Sequence, residues 1–209
     1  MDDSWILRLR SGESNTDPQS LLDREWLVTN GLGGYASGTI LGIGTRRYHS
    51  LLTVALPAPL GRQVILTEIE ESVRSQDGSI YVLGGVEQAG GKANFLGSVC
   101  FAEFRLESGL PVWTYQIKGT IFEKRIFMPH EQNTVHVKHH VVSGEEPLRW
   151  KLRLAIPFRP HGAAVGGPPE VCINLLLQGT AMKFTRRPHC LWSGSVSTVI
   201  TRASRRTIN

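Results

Sequence analysis

Apolar and polar positions along this chain alternate in short runs separated by turn residues. Between Cys100 and Leu106, Phe101, Glu103 and Arg105 alternate with Ala102, Phe104 and Leu106. Between Thr134 and Val142, Val135, Val137, His139 and Val141 share one side, and His136, Lys138 and His140 the other. A period of two is that of a strand with one buried face. Gln63–Val73 is rich in β-formers and reads as one strand. Gln76-Asp77-Gly78-Ser79 then gives a hairpin turn centred on Asp-Gly, and Ile80–Leu83 returns as the partner. Val112–Ile117 and Thr120–Met128 flank Lys118-Gly119 in the same way. Thr134–Val142 and Leu148–Ile156 follow, joined by Ser143–Pro147, and Val171–Leu177 supplies one more strand. Residues 11–20 read as loop, and Gly84-Gly85 and Gly90-Gly91 bracket another. Long amphipathic helices are not found. Strands recurring every 8–15 residues with turn residues between them predict an all-β sandwich.

The densest run of unusual residues is Glu25–Leu52, EWLVTNGLGGYASGTILGIGTRRYHSLL, with six glycines at 31, 33, 34, 38, 42 and 44. Glycine gives up the most backbone entropy on folding, so the run calls for tight turns or a backbone that something approaches closely. GLGGYA, from Gly31 to Ala36, formally satisfies a dinucleotide-binding fingerprint. That fingerprint needs a helix opening on the glycines and an acid about 20 residues on. Residues 35–42 carry no helical apolar stripe, and the expected acid falls in LLTVAL. The competing reading is a hairpin: Thr39–Leu41 and Leu51–Leu56 as strands, with the polar segment Gly42–Ser50 between them. Arg46, Arg47, Tyr48 and His49 then offer donors and an aromatic face to a polyhydroxylated ligand. The plain alternative pairs Arg46 or Arg47 with Glu25 and places Trp26 and Tyr35 in a core.

Candidate chemistry elsewhere is thin. His136 and His140 share a face with Lys138 and have no carboxylate or cysteine pair near them, which predicts solvated histidines and no metal site. His139, on the apolar face, is expected to be a core histidine bonded to backbone. Glycoside hydrolysis needs two carboxylates, one with a raised pKa. Glu25, Glu68, Glu70, Glu71, Glu103 and Glu123 are available, but nothing pairs them; Glu68, Glu70 and Glu71 read as ordinary exposed positions on a strand edge. A G-x-S-x-G elbow is absent. No catalytic residue and no cofactor is therefore expected.

The net charge of +5 is uneven. No acid follows Glu170, while Lys183, Arg186, Arg187, Arg202, Arg205 and Arg206 do, which leaves seventeen bases against eighteen acids before them. The basic balance belongs to the tail, and no nucleic-acid surface is inferred from it. Three scattered cysteines (Cys100, Cys172 and Cys190) and an N-terminus without a basic-then-apolar signal pattern predict a reducing, cytoplasmic setting. No apolar run is long enough to cross a membrane.

The segments EWLVTNGLGGYASGT and TRRYHSLL, in order and close together, resemble the N-terminal domain of the bacterial and archaeal type of glycogen debranching enzyme, the amylo-α-1,6-glucosidase family. Ala55–Glu71 looks like that family's continuation; Ser50 departs from it, where glycine is usual. The resemblance implies a large, mainly antiparallel β-sandwich that precedes an (α/α) barrel absent from this chain, with the catalytic acids in the barrel. It implies a parent activity of hydrolysing α-1,6 branch points of glycogen or a related α-glucan. Its implied partners are an α-glucan and the C-terminal barrel. Trp26, Tyr35, Arg46, Arg47, Tyr48 and His49 are the candidates for the face that meets one or the other. The expected organisation is an extension over 1–20, the sandwich domain over 21–184, and an atypical basic tail over 185–209, read as a frameshifted or truncated end.

Overall fold

The computed structural model describes residues 5–13, 17–87, 93–144 and 147–165, together with the backbone of three further strands within 173–201. In chain order the strands are β1 (Trp5–Arg10), β2 (Glu25–Thr29), β3 (Tyr35–Thr39), β4 (Ser50–Ala55), β5 (Arg62–Leu66), β6 (Glu68–Arg74) and β7 (Ile80–Leu83). They continue as β8 (Val86–Glu87), β9 (Ala93–Asn94), β10 (Phe101–Glu107), β11 (Leu110–Ile117), β12 (Thr120–Phe127) and β13 (Thr134–Ser143). The last are β14 (Arg149–Ala155), β15 (Arg159–Pro160), β16 (Ile173–Gln178), β17 (Ala181–Arg186) and β18 (Ser195–Thr201). An eight-stranded sheet runs β1-β10-β11-β12-β13-β18-β17-β16. Against it lie a five-stranded sheet, β15-β5-β4-β3-β2, and a three-stranded sheet, β14-β6-β7. The architecture is the all-β sandwich that the alternation predicts, mainly antiparallel as the resemblance implies; the β13–β18 pair is parallel.

One apolar cluster fills the space between the layers, drawing Val28, Leu52 and Ile65 from one side and Phe104, Phe122, Ile126 and Val137 from the other. Trp26 and Trp113 meet edge to face at 5.6 Å across the layers. Each indole N–H donates to a backbone carbonyl at the end of β3, Trp26 to Thr39 (3.1 Å) and Trp113 to Ile40 (2.8 Å). Buried aromatic pairs of this geometry add to the burial of their area, and the bonded N–H groups remove the cost of burying indole nitrogen.

Three local expectations are revised. Gln63–Val73 is two strands: the chain leaves the five-stranded sheet at Leu66 and joins the three-stranded sheet at Glu68. Thr67 sits at the crossing, its N–H bonded to Ala155 (2.9 Å) and its carbonyl accepting from Leu51 (3.0 Å). In β10 the register shifts between Phe101 and Glu103, a bulge that turns Phe101 and Phe104 onto the same buried side despite their odd spacing. Within 11–20, Pro18–Leu22 forms a short helix. Asp17 caps it by accepting from the Gln19 and Ser20 N–H groups, both at 3.1 Å, and Leu21 is wholly buried.

The interior also holds charge. Glu71 of β6 is 1 % exposed, although its spacing with Glu68 and Glu70 suggests an exposed edge. Its carboxylate meets the Lys124 ammonium of β12 at 2.7 Å and His139 Nε2 of β13 at 3.1 Å. His139 is thus a core histidine, as its apolar side predicts, but its partner is a carboxylate rather than backbone. Two opposed effects act on Glu71. Burial raises its pKa; Lys124 and His139 lower it and prevail, holding the carboxyl at about 2. This triad ties the three-stranded sheet to the eight-stranded one through the Glu71–Lys124 ion pair and the His139 contact in the middle of an apolar interface. On the other side of β13, His136 is half-buried rather than solvated and stacks on Phe127 at 4.6 Å. Of the tail over 185–209, the backbone of β18 and the end of β17 are described; its arginines 187, 202, 205 and 206 lie outside the described residues, as do Cys172 and Cys190.

Candidate functional site

The glycine-rich run folds as β2, a tight turn, β3, and the loop 40–49 leading into β4. No helix opens on Gly31–Gly34, so the dinucleotide reading fails and the hairpin reading stands. The turn is built on Asn30, which is fully buried. Its side-chain oxygen accepts from the Leu32 and Gly34 N–H groups, both at 3.0 Å. Its amide donates to the Gln132 carbonyl (2.9 Å) and to Asn133 Oδ1 (3.1 Å), and its own carbonyl accepts from Glu131 N–H (2.7 Å). Gly33 has φ of +90°, a backbone that glycine adopts without strain. A Cβ on Gly34 would lie 2.8 Å from Asn30 Nδ2 and 2.9 Å from the Thr53 carbonyl. What approaches these glycines closely is the protein's own backbone and side chains.

The loop that follows is fixed from several sides. His49, 5 % exposed, accepts from Thr45 N–H at Nδ1 (3.2 Å), and its N–H donates to the Arg46 carbonyl (2.9 Å). An accepting Nδ1 leaves the ring proton on Nε2, which faces Glu25 Oε1 at 3.4 Å. Burial lowers the His49 pKa, with Arg46 adding to it and Glu25 opposing, so the ring is neutral at ordinary pH. Tyr35 hydroxyl donates to the Tyr48 carbonyl (2.9 Å), and Arg159 donates to the Arg47 carbonyl.

The six sequence candidates thus separate. Trp26 is 5 % exposed between the layers and His49 is a loop pin, so neither offers a ring to a surface ligand. Arg46 is exposed but pairs with Glu25 at 2.5 Å, as the plain alternative holds. Tyr35, half-buried, and Arg47 and Tyr48, exposed, reach the outer surface. There they meet three residues for which the sequence holds no local signal: Arg62 of β5, Arg159 of β15 and His161 beyond it. His161 stacks on Tyr48 at 4.6 Å and meets Tyr35 edge-on at 6.1 Å. The Arg47 guanidinium lies 4.6 Å from the Tyr48 ring centre. Arg62 Nε donates to the Gly33 carbonyl (2.8 Å) and so faces the glycine turn.

Beside this cluster runs a shallow open groove of about 460 Å³ lined by Leu27, Thr29, Gly31, Gly33, Gly34, Tyr35 and Arg62. Under the loop, an interior cavity of about 50 Å³ touches Trp26, Trp113 and Lys124. That is room for a few waters, far below the roughly 300 Å³ of an ordinary small-molecule pocket.

Five of the six candidate carboxylates are engaged in ion pairs, and the sixth, Glu68, is exposed. Glu25 faces Arg46, Glu70 faces Arg153, and Glu71 faces Lys124 and His139. Glu103, Glu107 and Glu123 converge on the buried Arg105 on the outer face of the eight-stranded sheet. A general acid needs a raised pKa, and Glu71 has moved the other way. Among the described residues no three His, Cys, Asp or Glu side chains group as metal ligands, and no helix is long and apolar enough to cross a membrane.

No curated protein and no solved structure matches the chain. A family model described as glycogen debranching enzyme N terminal matches residues 24–184, from the start of β2 through the sandwich and into β17. The match covers well over half of the 209 residues, and the chain belongs to that family of glycogen debranching enzyme N-terminal domains.

Proposed function

We propose that the chain is the non-catalytic N-terminal domain of a cytoplasmic enzyme that hydrolyses α-1,6 branch points of glycogen or a related α-glucan. Its own contribution is a glucan-contacting surface, and chemistry is left to a C-terminal barrel. The observation that carries this reading is the open groove beside Tyr35, bordered by the rigid loop that presents Arg47 and Tyr48. A pyranose offers an apolar C–H face and a rim of hydroxyls. Tyr35 and Leu27 suit the first, and the guanidinium donors of Arg62 and Arg47 suit the second. Placement on short connections of a stiff sandwich suits a surface that must hold its shape. The engaged carboxylates support the non-catalytic part.

Glycogen co-sedimentation of the purified chain tests the proposal, with Arg47→Ala/Tyr48→Ala and Leu27→Glu as variants. Binding by the wild type that falls at least roughly fivefold in both is expected, since each removes about 1 kcal/mol of contact. A second reading rests on Leu27 and Leu32, which are 59 % and 46 % exposed beside the unpaired edge of β2. Apolar exposure there favours a face that docks the barrel. Absence of glycogen binding by a folded wild type would overturn the glucan reading and leave docking in its place.

A further inference from the structure

Three guanidinium groups gather round one imidazole on this surface, with no acid among them in the described residues. Arg62 and Arg159 come from the paired strands β5 and β15, and Arg47 from the loop. The His161 backbone N–H donates to the Arg62 carbonyl at 3.0 Å, which sets the residue beside both strands. Arg159 is spent on structure: it donates to the carbonyls of Arg47, Pro160, His161 and Ala163, and so clamps the loop against the strand. Arg47 donates to the Tyr48 hydroxyl, and Arg62 gives its Nε to Gly33; each keeps further N–H groups. Among the described residues, no Asp or Glu oxygen lies within 4.0 Å of Arg47, Arg62 or Arg159. Other arginines of the chain contrast with this. Arg8, Arg10, Arg105 and Arg125 each meet a glutamate on the eight-stranded sheet, and Arg46 meets Glu25. Electrostatically, the cluster is half of an ion-pair network.

We propose that Arg47, Arg62, Arg159 and His161 form a binding site for a phosphate monoester carried on a sugar, the sugar lying toward the Tyr35 groove. The sugar part rests on the glucan reading; the anion part does not. A phosphate dianion suits the site better than a carboxylate. Its charge answers the guanidiniums of Arg47, Arg62 and Arg159 together, and its oxygens point in enough directions to meet the spare donors of Arg47 from the loop and of Arg62 from β5. Arg62 and Tyr35 belong to both the cluster and the groove, so the ester oxygen can join the two. His161 is an internal reporter. Its pKa is lowered, by burial first and then by Arg62, Arg159 and Arg47, and a bound dianion would raise it again.

The test follows the His161 ring resonances of the full chain, labelled at histidine and assigned with His161→Gln. Inorganic phosphate, glucose 6-phosphate, maltoheptaose and acetate are titrated at matched ionic strength. Saturable shifts of His161 with a raised pKa are expected from phosphate and, more tightly, from glucose 6-phosphate. Arg47→Gln and Arg62→Gln should each weaken glucose 6-phosphate at least roughly tenfold. Arg47→Gln stays informative if Arg62→Gln disturbs the turn through Gly33. A phosphorylated dextrin that outcompetes glucose 6-phosphate would place the phosphate on a glucan chain; equal competition would make a free sugar phosphate the ligand. Acetate acting as strongly as phosphate, or affinities unchanged in both arginine variants, would overturn the site. Maltoheptaose binding without any phosphate effect would overturn this proposal alone and leave the glucan reading standing. Phosphate binding without maltoheptaose binding would do the reverse.

Discussion

Replacing Glu71 by Gln removes one charge from the centre of the sandwich and little volume. The Lys124 ammonium, with its side chain 13 % exposed, and His139, 5 % exposed, then lose their shared counter-charge. The structure supplies a magnitude. Glu71 titrates near 2 in the fold against an ordinary 4.5. At about 1.36 kcal/mol per pH unit, that difference is on the order of 3 kcal/mol. Breaking a buried ion pair from one side costs a similar amount, about 3–5 kcal/mol. Because the folded pKa lies below the unfolded one, the stabilisation is full above pH 4.5 and drains away as the pH falls toward 2. Urea unfolding followed by tryptophan emission suits the site, since Trp150 lies 4.4 Å from the His139 ring and Lys124 lies 5.5 Å from the Trp113 ring centre. Glu70→Gln is the control one residue away. Its pair with Arg153 is exposed and screened by water, so it should contribute far less. Glu71→Gln should lose about 3 kcal/mol and flatten the acid limb of the stability curve between pH 4.5 and 2. Equal losses in the two variants, with the acid limb unchanged, would refute a paired, ionised Glu71.

Two further outcomes follow from buried groups. Asn30→Ala strips the glycine turn of four side-chain hydrogen bonds. It should cost about 2–4 kcal/mol in urea unfolding and speed amide exchange at Leu32 and Gly34. Exchange rates that stay unchanged would show that the turn does not depend on Asn30. Cys100 is buried, its thiol pushed up to about 11 by burial, and its Sγ lies 3.3 Å from the Gly97 carbonyl. Peptide mapping after iodoacetamide at mildly alkaline pH should find it unlabelled in the folded chain and labelled in urea.

The sandwich is legible in the sequence because its strands have one wet face and one dry face, and a period of two records that directly. The errors lie where a strand does something other than alternate. Thr67 passes the chain from one sheet to another with no glycine or proline to announce it, so two strands read as one. The bulge at Phe101–Glu103 changes which side a residue faces without changing its neighbours. Glu71 is the same kind of case. Its spacing with Glu68 and Glu70 suggests a solvated edge, and only the opposing sheet, with Lys124 53 residues on, makes it an interior carboxylate.

The surface cluster divides along the same line. Arg46, Arg47, Tyr48 and His49 are adjacent in sequence, but adjacency scatters them: one pairs with Glu25, one pins the loop, and two face outward. What Arg47 and Tyr48 meet outside is decided by β5 and β15, whose pairing of Arg159 with Val64 is a contact between residues 95 positions apart. The β5–β15 pair brings Arg62, Arg159 and His161 to one place and, among the described residues, leaves glutamates out of it. Folding accepts that unbalanced charge because Arg159 converts its donors into backbone bonds that hold the loop. Arg47 and Arg62 keep spare donors and have no such excuse. Their cost is repaid only if an anion arrives, so stability and ligand affinity should be linked there: phosphate should raise the midpoint of thermal unfolding of the wild type and leave that of Arg47→Gln/Arg62→Gln unmoved. A wild type that phosphate does not stabilise would mean that water alone balances the cluster.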